Sequence, residues 1–227
     1  MEDIILLGIG GHAHSVVDSI EQSGQYHIIG FLDKEEMRGK HFRKYQVLDT
    51  DDALERLYGE GLRYAFITVG YMGHGNLRNR LYMRLKKRGY ILPNIVDDSA
   101  VIAKDVMLED GIFIGKRAVI NANANIQKMC IINTGAVIEH DCIVEKFTHV
   151  AVGGILCGNV SIGRETFVGA NATVIQGKRI GCNCVIGAGT TVRKNMENFS
   201  MICGEVEKNV RGGVINNPIF SQEESVA

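Results

Sequence analysis

Glu139-His140-Asp141 sets an imidazole between two carboxylates, which suits proton transfer near neutral pH. Such a ring can take a proton from a nucleophile, while the adjacent Asp141 fixes its tautomer and stabilises the imidazolium. His140 is therefore the candidate base and Asp141 its acidic helper. His149 follows nine residues on. Near the start of the chain, Gly8-Ile9-Gly10-Gly11-His12 follows an apolar run, with Asp33 further along. A glycine-rich turn at a helix start exposes backbone N–H groups that suit a phosphate or a sugar. Gly8-x-Gly10-x-x-Ala13 formally matches a relaxed dinucleotide fingerprint. Only about 90 residues precede the repeat described next, half of a full dinucleotide-binding sheet, so a smaller anionic group fits better. The six Cys form no CxxC pair, and three converging His ligands are not available, His74 being the only other histidine in the middle of the chain. No metal is expected.

The element that must position His140 is a repeat. From position 102 to position 192 every sixth residue is aliphatic, sixteen positions without a miss. Two positions earlier the residue is usually small, as at Ala118, Cys130, Ala136, Cys142 and Cys184. The position after the aliphatic is often Gly or Asn, as at Gly115, Asn133, Gly163 and Gly181. Neither a helix nor a flat sheet has a period of six, whereas a prism of three short parallel strands per coil does. On this reading the aliphatic fills the axis and the small residue lets the chain turn inward. The following Gly or Asn takes the strained corner. Nine residues is half a coil, so His140 and His149 lie on different sides of the prism. Should both serve one site, they come from adjacent subunits, which favours an interfacial site.

Residues 1–98 read as a separate α/β domain. Strands are expected at 4–7, 27–32 and 64–69, and helices at 15–22, 51–58 and 77–88, giving a parallel sheet with ligands at its C-terminal strand ends. Residues 99–195 form the coil and 196–227 a tail. The net charge of −1 argues against a nucleic-acid partner. No apolar run reaches the roughly 20 residues of a membrane span, so no membrane insertion is expected. Three of the cysteines fall at the small interior position and read as reduced thiols, which suits a cytoplasmic protein.

Segments such as Ile162-Gly163-Arg164-Glu165-Thr166 and Ile186-Gly187-Ala188-Gly189-Thr190 resemble the hexapeptide-repeat acyltransferases. The resemblance implies a left-handed parallel β-helix, a homotrimer, and acetyl-CoA lying in the groove between subunits. Over the whole chain, the likeness is to bacterial sugar acetyltransferases of the sialic acid O-acetyltransferase type. It rests on Gly8-Ile9-Gly10-Gly11-His12, Gly30-Phe31-Leu32-Asp33, Leu77-Arg78-Asn79-Arg80-Leu81 and the run from position 132 to Asp141. That branch includes N-acetyltransferases acting on UDP-linked 4-amino-4,6-dideoxy sugars on the route to bacillosamine. It implies a Rossmann-like βαβ domain ahead of the β-helix, with Gly10, Gly11, His12, Asp33 and Arg78 holding the nucleotide sugar. Lys34, at the same turn, stands where these enzymes carry a second acid. It implies His140 as base with Asp141, His149 on acetyl-CoA, and the N–H near Gly158 as oxyanion donor. Asn133 and Thr134, one coil-third before the base, are candidate contacts to the acceptor sugar. Gly169, Ala170, Gly187 and Ala188 leave room for a pantetheine arm, and equally suit coil corners. Segment 204–208 lacks the proline of the family's adenine-end motif.

The expected activity is acetyl-CoA-dependent N-acetylation of the 4-amino group of a nucleotide-linked sugar, with UDP as the expected carrier. O-acetylation of a sialic-acid-like sugar and a non-catalytic sugar-binding β-helix are the alternatives.

Overall fold

The computed structural model describes residues 1–73 and 75–204. The N-terminal domain comprises β1 (Glu2–Leu7), α1 (Gly11–Ser23), β2 (Tyr26–Leu32), β3 (His41–Phe42), β4 (Tyr45–Asp49), α2 (Leu54–Gly59), β5 (Tyr64–Ile67) and α3 (Leu77–Arg88). The sheet order is β3-β4-β2-β1-β5. Strands β4, β2, β1 and β5 run parallel, and β3 is antiparallel to β4. Ile4, Ile5, Leu6 and Leu7 are all buried, as a central parallel strand covered on both faces requires. The β3–β4 hairpin was not expected. Its strands are short and partly charged, so they carry no readable alternation.

The coil is a three-sided rod. Its first face holds strands such as Val119–Ile120, Val137–Ile138 and Ile155–Leu156. The second holds Asn125–Ile126 and Ile143–Val144, and the third Ile95–Val96, Phe113–Ile114, Ile131–Ile132 and His149–Val150. Each strand pairs with the one eighteen residues on, as Val119 does with Val137 and Ile131 with His149. The second residue of each pair points to the axis, and Ile114, Ile126, Ile138, Val150 and Ile162 are fully buried. Ile102 and Leu108, at the open end, are half-buried. Cys130, Cys142 and Cys184 are buried free thiols, as the repeat implies.

The corner is not where the repeat suggested. One residue in every six from 111 to 189 has a left-handed backbone, and it is the third after the aliphatic, as Asp141 (φ 60°) is after Ile138. Asn takes four of these corners, at 123, 159, 171 and 183, consistent with its tolerance for this region. The glycine directly after the aliphatic has a steric origin instead. A Cβ at Gly169 would lie 2.6 Å from the backbone N of Ala188 in the next coil, and one at Gly163 2.6 Å from that of Cys182.

The N-terminal domain packs on the third face. Val16, Val17 and Ile20 of α1 meet Ile95, Phe113 and Ile131, while Leu81, Tyr82 and Leu85 of α3 meet Met129 and Phe147 at the adjoining vertex. Asp97, 1 % exposed, braces the junction through Ser19 Oγ (2.7 Å) and Lys116 Nζ (3.0 Å). Among the described residues nothing packs over the first and second faces or the vertex between them. At the far end Val185 pairs with Met201, sixteen residues on, so the coil takes in part of the expected tail. Residues 205–227, including most of the adenine-end segment, lie outside the described residues, as does His74. No helix among the described residues is long and apolar enough to cross a membrane.

The two kinds of glycine differ in what a methyl group costs. Gly177 (φ +70°) has open space around its Cβ position, so Gly177→Ala is expected to cost about 1–2 kcal/mol of left-handed strain. Gly169→Ala meets backbone and is expected to cost about 3 kcal/mol, the upper end of overpacking losses. Urea unfolding of both variants checks the order.

Candidate active site

His140 and Asp141 stand on the uncovered vertex between the first and second faces, about half exposed. The left-handed turn at Asp141 brings its carboxylate back to the neighbouring ring, with Oδ2 2.7 Å from His140 Nδ1. That contact makes Nδ1 the protonated nitrogen and leaves Nε2 as the free base. The hydrogen bond and charge of Asp141 raise the His140 pKa above its ordinary value, and Glu139 adds to the effect. The Asp141 pKa is lowered, chiefly by His140 and then by Asn123.

The ring lies over Gly158, one coil on. A Cβ there would sit 2.5 Å from His140 Nε2, so only glycine admits the imidazole in this position. The backbone N–H at Gly158 differs from those on a neighbouring vertex of the rod. On the vertex between the second and third faces, Glu109, Gln127 and Glu145 accept the N–H groups of Lys128, Lys146 and Arg164 at 3.0, 3.2 and 2.9 Å. Each pair is nineteen residues apart, and the same spacing would give Glu139 to Gly158. Glu139 turns instead to the His140 N–H at 3.4 Å. The Gly158 N–H has no partner among the described residues, so a hydrogen-bond donor is left free beneath the ring.

A second half-site lies in the α/β domain. A cavity of about 400 Å³ opens at the C-terminal ends of β1, β2 and β5, where a parallel sheet binds ligands. Leu7, Leu32, Val69, Leu77 and Leu81 form its apolar lining, and Gly10, Asp33, Lys34, Thr50 and Asp51 supply polar atoms. The Asp33 carboxylate accepts the N–H of Ile9 and of Lys34, both at 2.7 Å, and so braces the glycine turn. At the start of α1 no side chain caps the helix and the first turn holds no acid. Its free N–H groups and dipole favour an anion there.

Arg78 and His12 are not among the residues lining this cavity. Arg78 is 5 % exposed and donates to the carbonyls of Val69 and Met129 (2.5 and 2.7 Å), tying the cavity wall to the coil. Burial pulls its pKa down to about 10. The His12 ring stacks edge-on against Phe113, its Nε2 buried and without a partner among the described residues. Burial, then the charge of Arg78 and the proximity of His149, hold its pKa well below 6.5. His149 is buried on the third face. Its Nδ1–H donates to the Tyr71 carbonyl at 2.5 Å, and Nε2 lies 3.3 Å from Asn133 Nδ2. Burial, chiefly, takes its pKa down to about 4. Asn133 Oδ1 also accepts the Thr134 N–H at 2.8 Å.

Asn133, Thr134, Gly169, Ala170, Gly187 and Ala188 therefore lie on the vertex between the third and first faces, beside the α/β domain. His140, Asp141 and Gly158 lie on another vertex, opposite the face which that domain covers. Sequence spacing separated His140 from His149 correctly. It did not reveal Asn123, Tyr71 or the turned Glu139, although Asn123 stands one eighteen-residue coil before Asp141, a usable signal.

The chain thus joins a hexapeptide coil, which exposes a histidine–carboxylate pair, to an α/β domain with a cavity at its strand ends. The PglD N-terminal domain family matches residues 3–85, and the hexapeptide repeat of succinyl-transferase matches 159–194. PerB from Caulobacter crescentus, solved in complex with CoA and GDP-perosamine, is 31 % identical with a TM-score of 0.84, covering 90 % of this chain and 95 % of that one. The acetyltransferase domain of PglB from Neisseria gonorrhoeae is 26 % identical with a TM-score of 0.83, over 90 % and 97 %. Its complex with acetyl coenzyme A gives 25 % and 0.82, over 89 % and 96 %. The chain belongs to the bacterial hexapeptide-repeat sugar acetyltransferases.

Two outcomes follow from this geometry. Gly158→Ala is expected to keep the fold and expel the imidazole from its seat, read as a shifted His140 ring resonance in NMR spectra. For stability, the unfolded chain binds a proton at His149 near pH 6.5 that the fold refuses until about pH 4. Stability is thus full above pH 6.5 and is lost on acidification, by about 2 kcal/mol between pH 7 and pH 5. His12, also held neutral by burial, adds loss of the same sign, so His149→Gln should reduce the pH dependence by about 2 kcal/mol without abolishing it, read by urea unfolding at the two pH values.

Proposed function

We propose that the chain transfers the acetyl group of acetyl-CoA to the 4-amino group of a nucleotide-linked amino-dideoxy sugar, with His140 as base. The observation that carries this reading is the His140 ring, hydrogen-bonded to Asp141 and lying over Gly158, whose N–H is unbonded among the described residues. As the sugar nitrogen adds to the thioester carbonyl carbon, His140 Nε2 takes a proton from that nitrogen. The Gly158 N–H meets the carbonyl oxygen as it gains charge. When the C–S bond breaks, His140 returns the proton to the departing sulfur.

The nucleotide would occupy the α/β cavity, its diphosphate at the N-terminus of α1 near Gly10, Gly11 and His12, with Asp33 and Lys34 at the rim. Asn133 and Thr134 would face the sugar. His149, Gly169, Ala170, Gly187 and Ala188 would border the acetyl-CoA groove. Arg78 supports the site from behind, through Val69. Because the cavity and the base lie on opposite sides of one chain, a working site needs the vertex of a second copy. Exposed apolar side chains flank that vertex, Val101 and Ile155 on the first face and Met107 and Ile143 on the second, which supports a homotrimer. The reading suits the cytoplasm, where acetyl-CoA and nucleotide sugars are made. UDP was the carrier expected from the sequence resemblance, while the ligand named for PerB is GDP-linked, so the carrier nucleotide is a variable of the test.

Thiol release from acetyl-CoA, measured with UDP- and GDP-linked 4-amino sugars and with hydroxyl acceptors, tests the proposal. Release with an amino sugar is expected, and none with any sugar would overturn it. His140→Ala should lower kcat by roughly 10²–10⁴-fold. Since the neutral ring is the active form, the rate rises with pH through the His140 pKa. Asp141→Asn removes what raises that pKa, so the acid limb of the profile should move to lower pH and its plateau fall.

A further inference from the structure

The vertex that carries the base holds one more polar contact. Asn123 stands one coil before Asp141, and both have left-handed backbones (φ 58° and 60°), so their side chains leave the rod in the same direction. Asn123 Nδ2 donates to Asp141 Oδ1 at 2.7 Å, while Asp141 Oδ2 faces His140 Nδ1 at 2.7 Å. The two carboxylate oxygens thus have separate partners one coil apart. Without Asn123, the exposed Asp141 carboxylate is free to turn about its terminal bond, which is soft and broad. Water can replace the lost donor but cannot fix the direction of the oxygen that meets the ring. The β-sheet register supplies what water lacks. Asn125 pairs with Ile143 and Val119 with Val137, so the coil segments bearing Asn123 and Asp141 are held by ladder bonds on both sides.

We infer that Asn123 is a positioning residue, which holds the Asp141 carboxylate in the rotation that orients the His140 ring for proton transfer. This rests on the catalytic reading of His140. Asn123 touches neither the thioester nor the sugar amine and acts only through Asp141. A merely structural role would leave the titration of His140 unchanged.

The experiment compares Asn123→Ala and Asn123→Asp with the parent chain, reading the His140 pKa by NMR titration of its ring C–H and the pH profile of kcat/KM. The His140 resonance is assigned by its loss in His140→Ala. In Asn123→Ala the carboxylate loses its direction, so the His140 pKa and the acid limb are expected to move down together, with kcat/KM reduced about 3- to 10-fold. In Asn123→Asp a second carboxylate faces Asp141. Its added negative charge favours the imidazolium, so both readouts are expected to move up. Opposite shifts from one position are the signature of a group acting on the ring. An unchanged His140 pKa in Asn123→Ala, or shifts of the same sign in both variants, would overturn the inference, whatever the activity. Full turnover by His140→Ala would instead overturn the catalytic reading, while the NMR titration would still report whether Asn123 orients the ring.

Discussion

An eighteen-residue coil closes only when one residue at each corner accepts a left-handed backbone and an aliphatic side chain reaches the axis between corners. The rest of the molecule depends on that condition. It quantises position along the rod, so that residues eighteen apart stack and residues nine apart fall on opposite sides. Asn123, Asp141 and Asn159 are stacked by register, and the ring of His140 comes to rest on Gly158 for the same reason. A flexible loop would have to search for such an alignment. Here it is delivered by the same ladder bonds that hold the core together.

The period of six made the rod legible before any coordinates, because an unbroken aliphatic series has few other physical explanations. The finer geometry was not legible. Glycines directly after the aliphatic, such as Gly163 and Gly169, suggested the strained corner, whereas the left-handed residues stand two positions later and are other glycines such as Gly177, with Asn, Arg, Asp, Glu and even the buried Met129 and Phe147. At those two corners the packing of α3 repays strain that composition alone would disfavour. The β3–β4 hairpin escaped notice because a two-residue strand and a five-residue strand with one buried side chain, Val47, hold no readable periodicity. That the Arg78 guanidinium is sealed against two carbonyls from different domains was not legible, because nothing in a sequence tells of that burial. The exposure of His140 was legible because it stands two positions past an axial residue, off the core. The turn of Glu139 away from Gly158 became visible only by comparison with Glu109, Gln127 and Glu145.

The junction between the domains is a rigid mount. Arg78 is buried with no carboxylate beside it among the described residues, and His12 and His149 are kept neutral by burial. Each is tolerated because its neighbours are fixed. Tyr71 OH donates to the Glu165 carbonyl at 2.7 Å, and Asn79 donates to the Glu165 carboxylate at 2.6 Å, so the segment after β5 and the start of α3 are both pinned to the rod. The α/β cavity therefore stands at a set height along the coil, and a neighbouring copy docked in register would meet it at that height.

The axis also decides which of the chain's sulfurs can react. Burial pushes the Cys130 thiol up to about 12 and the Cys142 thiol to about 11, and raises Cys184. A thiolate is the species that attacks a disulfide, and near neutral pH these three scarcely form one. Acetyl transfer from acetyl-CoA releases CoA as a free thiol, whose disulfide exchanges only with thiolates. The interior cysteines are withheld from such exchange by the packing that makes them good filler, leaving the half-exposed Cys157, Cys182 and Cys203 as the positions where oxidised CoA could leave its mark.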